Sequence, residues 1–352
     1  MRESFMAMHG AAIRLVFLLG LALLAGCGGQ LHKQQAYVFG TLVEITVYGR
    51  DEARSRQATD AVLKEFDRMH RELHPWEPGP MEDLNAAIAR GDRRIPLPAG
   101  LGALIEEATH YSEQGEGLFN PAIGNLVRLW GFHTDTFVPK LPDPQAIARL
   151  VKAHPRMTDL SVEGDNLISR NPAVRLDFGG YAKGLALDRA AAIFNAQGVH
   201  DALINIGGNI LALGSKGGSP WKVGIQHPRH AGALAVLELH DGEAIGTSGD
   251  YQRFFEVNGK RYCHLIDPRS GLPADRVEAV TVLTRGPHAG TLSDVASKPL
   301  FIAGPADWRR MAARMGITEA LMIATDGRVE VTRALAGRLE WEKPVPPARV
   351  VD

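Results

Sequence analysis

Cysteine is almost missing from this chain: two residues, Cys27 and Cys263, in 352. Two thiols cannot build a disulfide framework, so the fold must rest on packing. A surplus of charge is missing as well. Lys and Arg number 39 against 40 Asp and Glu, for a formal net charge of −1. Holding a nucleic acid by its phosphates needs Lys and Arg gathered on one face, and no such run occurs, which excludes that partner. Neither a sequence repeat nor a low-complexity segment is present. What is there is the composition of a folded body, 45% hydrophobic and 22% charged, with a mean hydropathy of −0.10. A chain this long buries about three-quarters of its unfolded surface.

The N-terminus reads as an address. Arg2 and Arg14 precede the apolar run Leu15 to Leu24, which as a helix covers about 15 Å, half of a bilayer core. It is too short to span and has the form of a signal-peptide core. Leu24-Ala25-Gly26-Cys27 resembles a bacterial lipobox, in which cleavage precedes the cysteine and lipid is attached to it. An ordinary secretory signal with an incidental cysteine is the competing account. The expectation is a signal peptide over 1–26, a lipid-bearing Cys27 outside the cytoplasm, a polar tether over 27–35 and one domain over 36–345. Cys263 then has no partner thiol.

Residues 36–48 alternate, with Val43, Ile45 and Val47 against Glu44 and Thr46, and predict a strand. Val62, Phe66, Met69 and Leu73 form the stripe of an amphipathic helix that His74-Pro75 ends. Helices are expected near 99–113 and 121–130, and Asp143-Pro144 opens another in N-cap and N1 order. Beyond residue 160, strand-like pieces at 173–177, 201–206, 210–213, 221–226 and 234–239 surround one helix near 181–196. Asn258-Gly259 marks a hairpin with a type I′ turn, and strands recur at 277–284 and 319–324. Hairpin-linked strands with helices clustered elsewhere predict an α+β fold with mixed, largely antiparallel sheets and flanking helices.

Three clusters could carry chemistry. In Arg175-Leu176-Asp177-Phe178-Gly179-Gly180-Tyr181-Ala182-Lys183-Gly184 a strand gives way to a helix through two glycines. Free N–H groups at a helix start beside a Lys suit an anion such as a pyrophosphate, though the spacing matches neither the dinucleotide nor the phosphate-loop pattern. Read alone, a tight strand-to-helix turn capped by Asp177 is the favoured account. Ile206-Gly207-Gly208-Asn209 and Thr247-Ser248-Gly249-Asp250-Tyr251 are small-residue turns that could line a crevice or simply close hairpins. Finally, His264-Leu265-Ile266-Asp267-Pro268-Arg269-Ser270-Gly271 puts a His on the same strand face as Tyr262 and Ile266, as a general base or as a core histidine.

Taken together with Gly40-Thr41, Leu84-Asn85, Gly117-Leu118-Phe119-Asn120-Pro121, Leu129-Trp130-Gly131-Phe132 and Trp221-Lys222-Val223-Gly224-Ile225, these clusters resemble the ApbE family in order and spacing. The resemblance covers about residues 36–325 and names a family of FAD:protein FMN transferases. It implies a Mg2+-dependent cleavage of FAD at its pyrophosphate. AMP leaves, and FMN is esterified through its phosphate to a Thr or Ser of a target flavoprotein. It also implies a lipid anchor on the periplasmic side of the inner membrane, although Gly28 after Cys27 leaves the outer membrane open.

Carried over by position, the resemblance implies flavin or FAD contacts at Phe39, Trp76, Leu118, Phe119, Asn120, Asp177, Lys183 and Ile266. It implies metal ligation by the Gly180 carbonyl and the Asp294 carboxylate, and it makes His264 the base that deprotonates the acceptor hydroxyl. Three positions depart from the family pattern. Phe39 stands for Met, Asn120 for Asp, and Lys298 for a metal-ligating Thr in Ser293-Asp294-Val295-Ala296-Ser297-Lys298. An ammonium cannot ligate Mg2+. The expectation is a retained Mg2+ with Lys298 added as a phosphate contact; the plainer account is an i, i+4 ion pair with Asp294. A hydrolase giving FMN and AMP, and a flavin-binding lipoprotein without activity, remain open beside the transferase.

Overall fold

The computed structural model describes residues 29–352. The signal sequence and the lipobox residue Cys27 lie outside them. Among the described residues no helix is long and apolar enough to cross a membrane.

Nine strands make one sheet whose spatial order repeats their chain order: Gln30–Val38, Thr41–Gly49, Ala202–Ile206, Asn209–Leu213, Glu243–Gly249, Val277–Arg285, Glu319–Ala324, Val329–Thr332 and Ala348–Val351. Neighbours run antiparallel except the last pair, which is parallel. The helices Glu52–Leu73, Ala182–Ala196 and Ala289–Ala303 pack over one face. A three-stranded sheet of Trp221–Gln226, Ala233–Leu239 and Leu339–Trp341 covers the other. The fold is α+β with antiparallel-dominant sheets, as the sequence predicts.

Period two explains why the central strands are apolar throughout. In Glu319–Ala324, Ala320 and Met322 join the helix-side core while Leu321 and Ile323 join the other. Val277–Arg285 divides in the same way, with Val280 and Val282 against Ala279 and Leu283. A smaller cluster of Trp130, Phe132, Phe255 and Ile266, with Tyr262 against it, forms a third core under the 254–263 hairpin.

Several local expectations need correction. Residues 36–48 are not one strand: Phe39 and Gly40 adopt φ of 57° and 68° and turn the chain between two strands. Residues 30–35 are not a tether. They pair with 44–49 as an edge strand, where polar residues can stay because one face and one edge meet water. The sheet therefore runs past the expected 36–345 boundary at both ends, to Gln30 and Val351. Residues 173–177 form no strand, and only an isolated bridge joins Arg175 to Ile123. The helix expected at 121–130 shortens to Gly124–Leu129, because Pro121 and Ala122 are held in a turn by the Asn120 side chain.

Ala289–Ala303 occupies the centre. Thirteen residues of this 15-residue helix are buried, as expected of a helix whose every side meets protein. Glycines let it approach its neighbours. A Cβ on Gly184 would strike the Gly290 carbonyl and lie 2.7 Å from Asp294 Cβ, and one on Gly246 would strike the backbone of Ser293. Helix is thus seated directly on helix and on strand.

Gly184→Ala tests that seating. Alanine raises helix propensity by about 1 kcal/mol, but here its methyl has no room. Overpacking should dominate, for a net loss of about 1–3 kcal/mol in urea unfolding. A gain in stability would mean that the two helices do not touch at this point.

Candidate functional site

A cleft of about 380 Å³ opens where the hairpin turn at Phe39-Gly40, the helix start after Asp177 and the Ala289–Ala303 helix converge. Phe39, Trp76, Leu118, Phe119, Asn120, Asp177, Gly180, Lys183, His264, Ile266, Asp294 and Lys298 all line it. These twelve come from stretches more than 250 residues apart in sequence, and the fold brings all of them together. Cys27 alone of the expected functional residues is not described.

Each polar member has a geometric role. Asp177 accepts the Gly179 N–H at 2.8 Å and so shapes the turn that enters Ala182–Ala196. Burial pushes its carboxyl above the usual range, against the pull of that N–H. The helix then begins without a side-chain cap, with Lys183 in its first turn, an arrangement that favours an anion. Asn120 is committed to structure as well as to the cleft wall: its amide donates to the Pro155 carbonyl at 2.9 Å and accepts from Ala122 N–H at 3.1 Å.

The Asp294 carboxylate is fully engaged. Oδ2 accepts the Gly184 N–H at 2.9 Å. Lys298 Nζ donates to Oδ1 and to the Asp294 carbonyl, both at 2.6 Å, and Lys183 Nζ lies 3.9 Å from Oδ1. Burial alone would raise the Asp294 carboxyl; the two ammonium groups outweigh it and hold the acid below its ordinary value. Burial, joined by Lys183, in turn lowers the Lys298 ammonium against the support of Asp294. Two cations on one carboxylate, with both oxygens taken, do not fit the Mg2+ ion implied by the family resemblance. Among the described residues no group of three His, Cys, Asp or Glu could hold a metal instead. The expected Asp294–Lys298 pair exists, but it is buried at the cleft rather than set on the surface.

His264 is not on the strand predicted for it. Lys260–Cys263 ends one residue earlier, and His264 occupies a bend that turns its ring into the cleft. Its Nδ1 lies 3.3 Å from the Arg253 carbonyl. A carbonyl only accepts, so Nδ1 carries the hydrogen and Nε2 keeps the lone pair. Burial and the positive charges of Arg253, Lys183 and Lys298 push its pKa down to about 3. Cys263, next to it, is buried, and burial pushes the thiol up to about 12.

Sequence reading missed several members. His70, His74 and His133 line the cleft. His70 stands edge-on to Phe39 at 5.9 Å and to His74 at 5.0 Å, while His133 meets Trp76 at 5.6 Å. The i, i+4 spacing of His70 and His74 at a helix end was the available signal. Arg253 also lines the cleft, and donates to the carbonyls of Phe132 and Thr134 at 3.1 and 3.2 Å. It sits in a loop, where no periodicity marks it. Arg175 stacks 4.5 Å over Trp76 and donates to the Pro75 carbonyl, which fixes the Trp76 loop from below.

The chain is similar to known proteins along most of its length. The ApbE family model matches residues 39–322. An FAD:protein FMN transferase of Rhodobacter capsulatus is 41% identical over 338 residues, which cover 93% of this chain and 64% of that protein. The chain thus spans a little under two thirds of that relative's length. A protein of the same name from Treponema pallidum is 30% identical over 337 residues, 89% of this chain and 91% of its own. Among solved structures, the ApbE protein of Thermotoga maritima superposes with a TM-score of 0.79 at 28% identity, over 88% of this chain and 99% of that one. The apo form of the Pseudomonas stutzeri flavinyl transferase ApbE gives 0.76 at 27%, over 88% and 97%.

The charge state of His264 can be tested directly. With a pKa near 3 in the folded protein and about 6.5 in the unfolded chain, the unfolded state binds the proton between those values. The ring should therefore stay neutral in the ligand-free protein as pH falls from 7 to about 4, and its neutrality works against stability across that window. Nitrogen NMR of histidine-labelled protein should show one donor and one lone-pair nitrogen throughout. A midpoint near 6.5 would mean that the ring is solvated and free.

Proposed function

The chain belongs to the ApbE family, and on that premise we propose that it transfers FMN from FAD to a hydroxyl of a target flavoprotein and releases AMP. The observation that carries this reading is the make-up of the cleft. Phe39, Trp76 and Phe119 offer apolar surface for a flat ring, and Lys183 and Lys298 bring cations to a helix start. FAD has both halves, a planar isoalloxazine and a pyrophosphate.

The residues divide the work accordingly. Aromatic and apolar walls hold the ring by contact area. Lys183, Lys298 and the first turn of Ala182–Ala196 neutralise and orient the pyrophosphate, which is most of what phosphoryl transfer asks of a protein. The acceptor oxygen bonds to the FMN-side phosphorus. The bridging P–O bond breaks with its electron pair on AMP, and the hydroxyl proton passes to His264 Nε2. A ring with a pKa near 3 is a weak base before substrate binds. The negative charge of the arriving pyrophosphate offsets the surrounding cations and raises its basicity where it is needed.

No step here passes through Mg2+, because Asp294 already holds its cations. At the N-terminus the lipobox pattern supports a chain anchored outside the cytoplasm by lipid on Cys27. Cys27→Ser should yield protein without acyl chains by intact mass; acylated C27S protein would defeat that assignment.

The transfer reading is tested by incubating the protein with FAD and a candidate acceptor flavoprotein, followed by in-gel flavin fluorescence and AMP analysis. A transferase gives labelled acceptor and AMP. AMP with free FMN would show a hydrolase, and neither product would show a binder. His264→Ala should lower transfer by roughly 10²–10⁴ while FAD affinity changes only a few-fold. Intact transfer in that variant would make His264 structural.

A further inference from the structure

We infer that Lys298 is the built-in cation of this site, so that FAD is bound and cleaved without a divalent metal ion at Asp294. This rests on the transferase reading and concerns how the same cleft neutralises its substrate.

Position comes first. The Lys298 side chain is only 14% exposed, and it does not hang free in the cleft. It crosses directly over Gly180, so closely that a Cβ there would meet Lys298 Cε at 2.7 Å and Cδ at 3.0 Å. Its ammonium then ends 2.6 Å from both the carboxylate and the carbonyl of Asp294. Gly180 and Asp294 are the two residues to which the family resemblance gives a metal. Here a lysine arm lies across the first and closes on the second.

Charge and donor chemistry agree. A divalent ion needs lone pairs, and the residue in place of a ligating Thr has only hydrogens to offer. The remaining carboxylate oxygen is held by the Gly184 N–H. Lys183 lies within 3.9 Å of the same group. A divalent ion placed there would stand against two ammonium groups with little water to screen them. An ammonium fixed at one point on a phosphate is a sufficient substitute in kind, because the demand is for positive charge at developing negative oxygens. Bond changes are those given above. Lys298 neither gains nor loses a proton in them; it supplies charge.

The geometry of Ala289–Ala303 explains why the ammonium stays. Asp294 and Lys298 are one turn apart on a helix buried along nearly its whole length. Pro299 follows immediately and contributes no N–H to the helix. Removing the ammonium would leave a buried carboxylate short of its principal partner, a costly state that a metal ion could relieve.

The test uses the full chain, chelator-treated and shown to be metal-free by elemental mass spectrometry. FAD affinity is measured by flavin fluorescence in EDTA and again with excess Mg2+. Binding of Mn2+ alone is followed by its electron-spin-resonance signal. The wild type should bind FAD with affinities that agree within about two-fold in the two conditions, and should leave Mn2+ free at micromolar concentrations. Lys298→Met should weaken FAD by about ten- to a hundredfold in EDTA. Lys298→Thr should bind Mn2+ and make FAD affinity depend on Mg2+ by at least about tenfold. Thermal melts establish that each variant folds, and the wild-type comparisons need no variant. Stoichiometric Mn2+ binding by the wild type, or FAD binding that appears only with Mg2+, would overturn the inference. AMP release in the presence of the acceptor flavoprotein, with and without EDTA, separates the two claims. Release only with Mg2+ defeats the built-in cation alone, and metal-independent FAD binding with no AMP in either condition defeats the transferase reading alone.

Discussion

The hydrogen bond from the Gly184 N–H to Asp294 Oδ2 ties together everything that acts in this protein. It joins the first turn of Ala182–Ala196 to the middle of Ala289–Ala303, and it forms only because glycines let the two helices touch. From that contact the rest follows. Lys183 is carried to within reach of Asp294, Lys298 is drawn over Gly180, and the Asp177 turn is aimed into the same cleft. A side chain at 184 would separate the two helices and with them the two lysines. The chemistry of the site is therefore a packing property before it is an electrostatic one.

Burial then sets the electrostatics. Asp294 is 1% exposed, so its charge must be met by fixed partners rather than by water. Lys183, Lys298 and Arg253 stand in the cleft against Asp177 and Asp294, with His264 kept neutral, so opposite charges meet at fixed points in a chain whose overall charge is almost balanced. Global charge excluded nucleic acid but could not reveal where these charges are placed. Field strength here comes from a few charges in a poorly solvated cleft.

Much of this was legible in the residues. Phe66 and Met69 gave the stripe of Glu52–Leu73, Asp143-Pro144 marked the start of Pro144–Ala153, and Asn258-Gly259 marked the turn of the 254–263 hairpin. The expected cleft residues converge because motif order and spacing carried information that no single motif held. The failures share a cause. Residues 30–35 looked like a tether because an edge strand tolerates polar side chains, and 173–177 looked like a strand because extended loops and strands share composition. Arg253 and His133 were invisible because loop residues carry no period. Lys298 was legible as a departure and as a neighbour of Asp294 at the pyrophosphate. Its crossing over Gly180 was not.

The order of strands in the large sheet has one more consequence. Consecutive strands of that sheet lie side by side throughout, but between Thr41–Gly49 and Ala202–Ile206 the chain runs through the whole stretch from 50 to 201 before it returns. That pairing closes the longest loop in the sheet and carries the largest entropic cost of closure. It also brings Phe39 and Trp76 into one cleft with Asp294 and Lys298. A molecule lying between those two groups binds only the assembled chain. By mass action it adds its binding free energy to the contact that chain connectivity makes hardest to form.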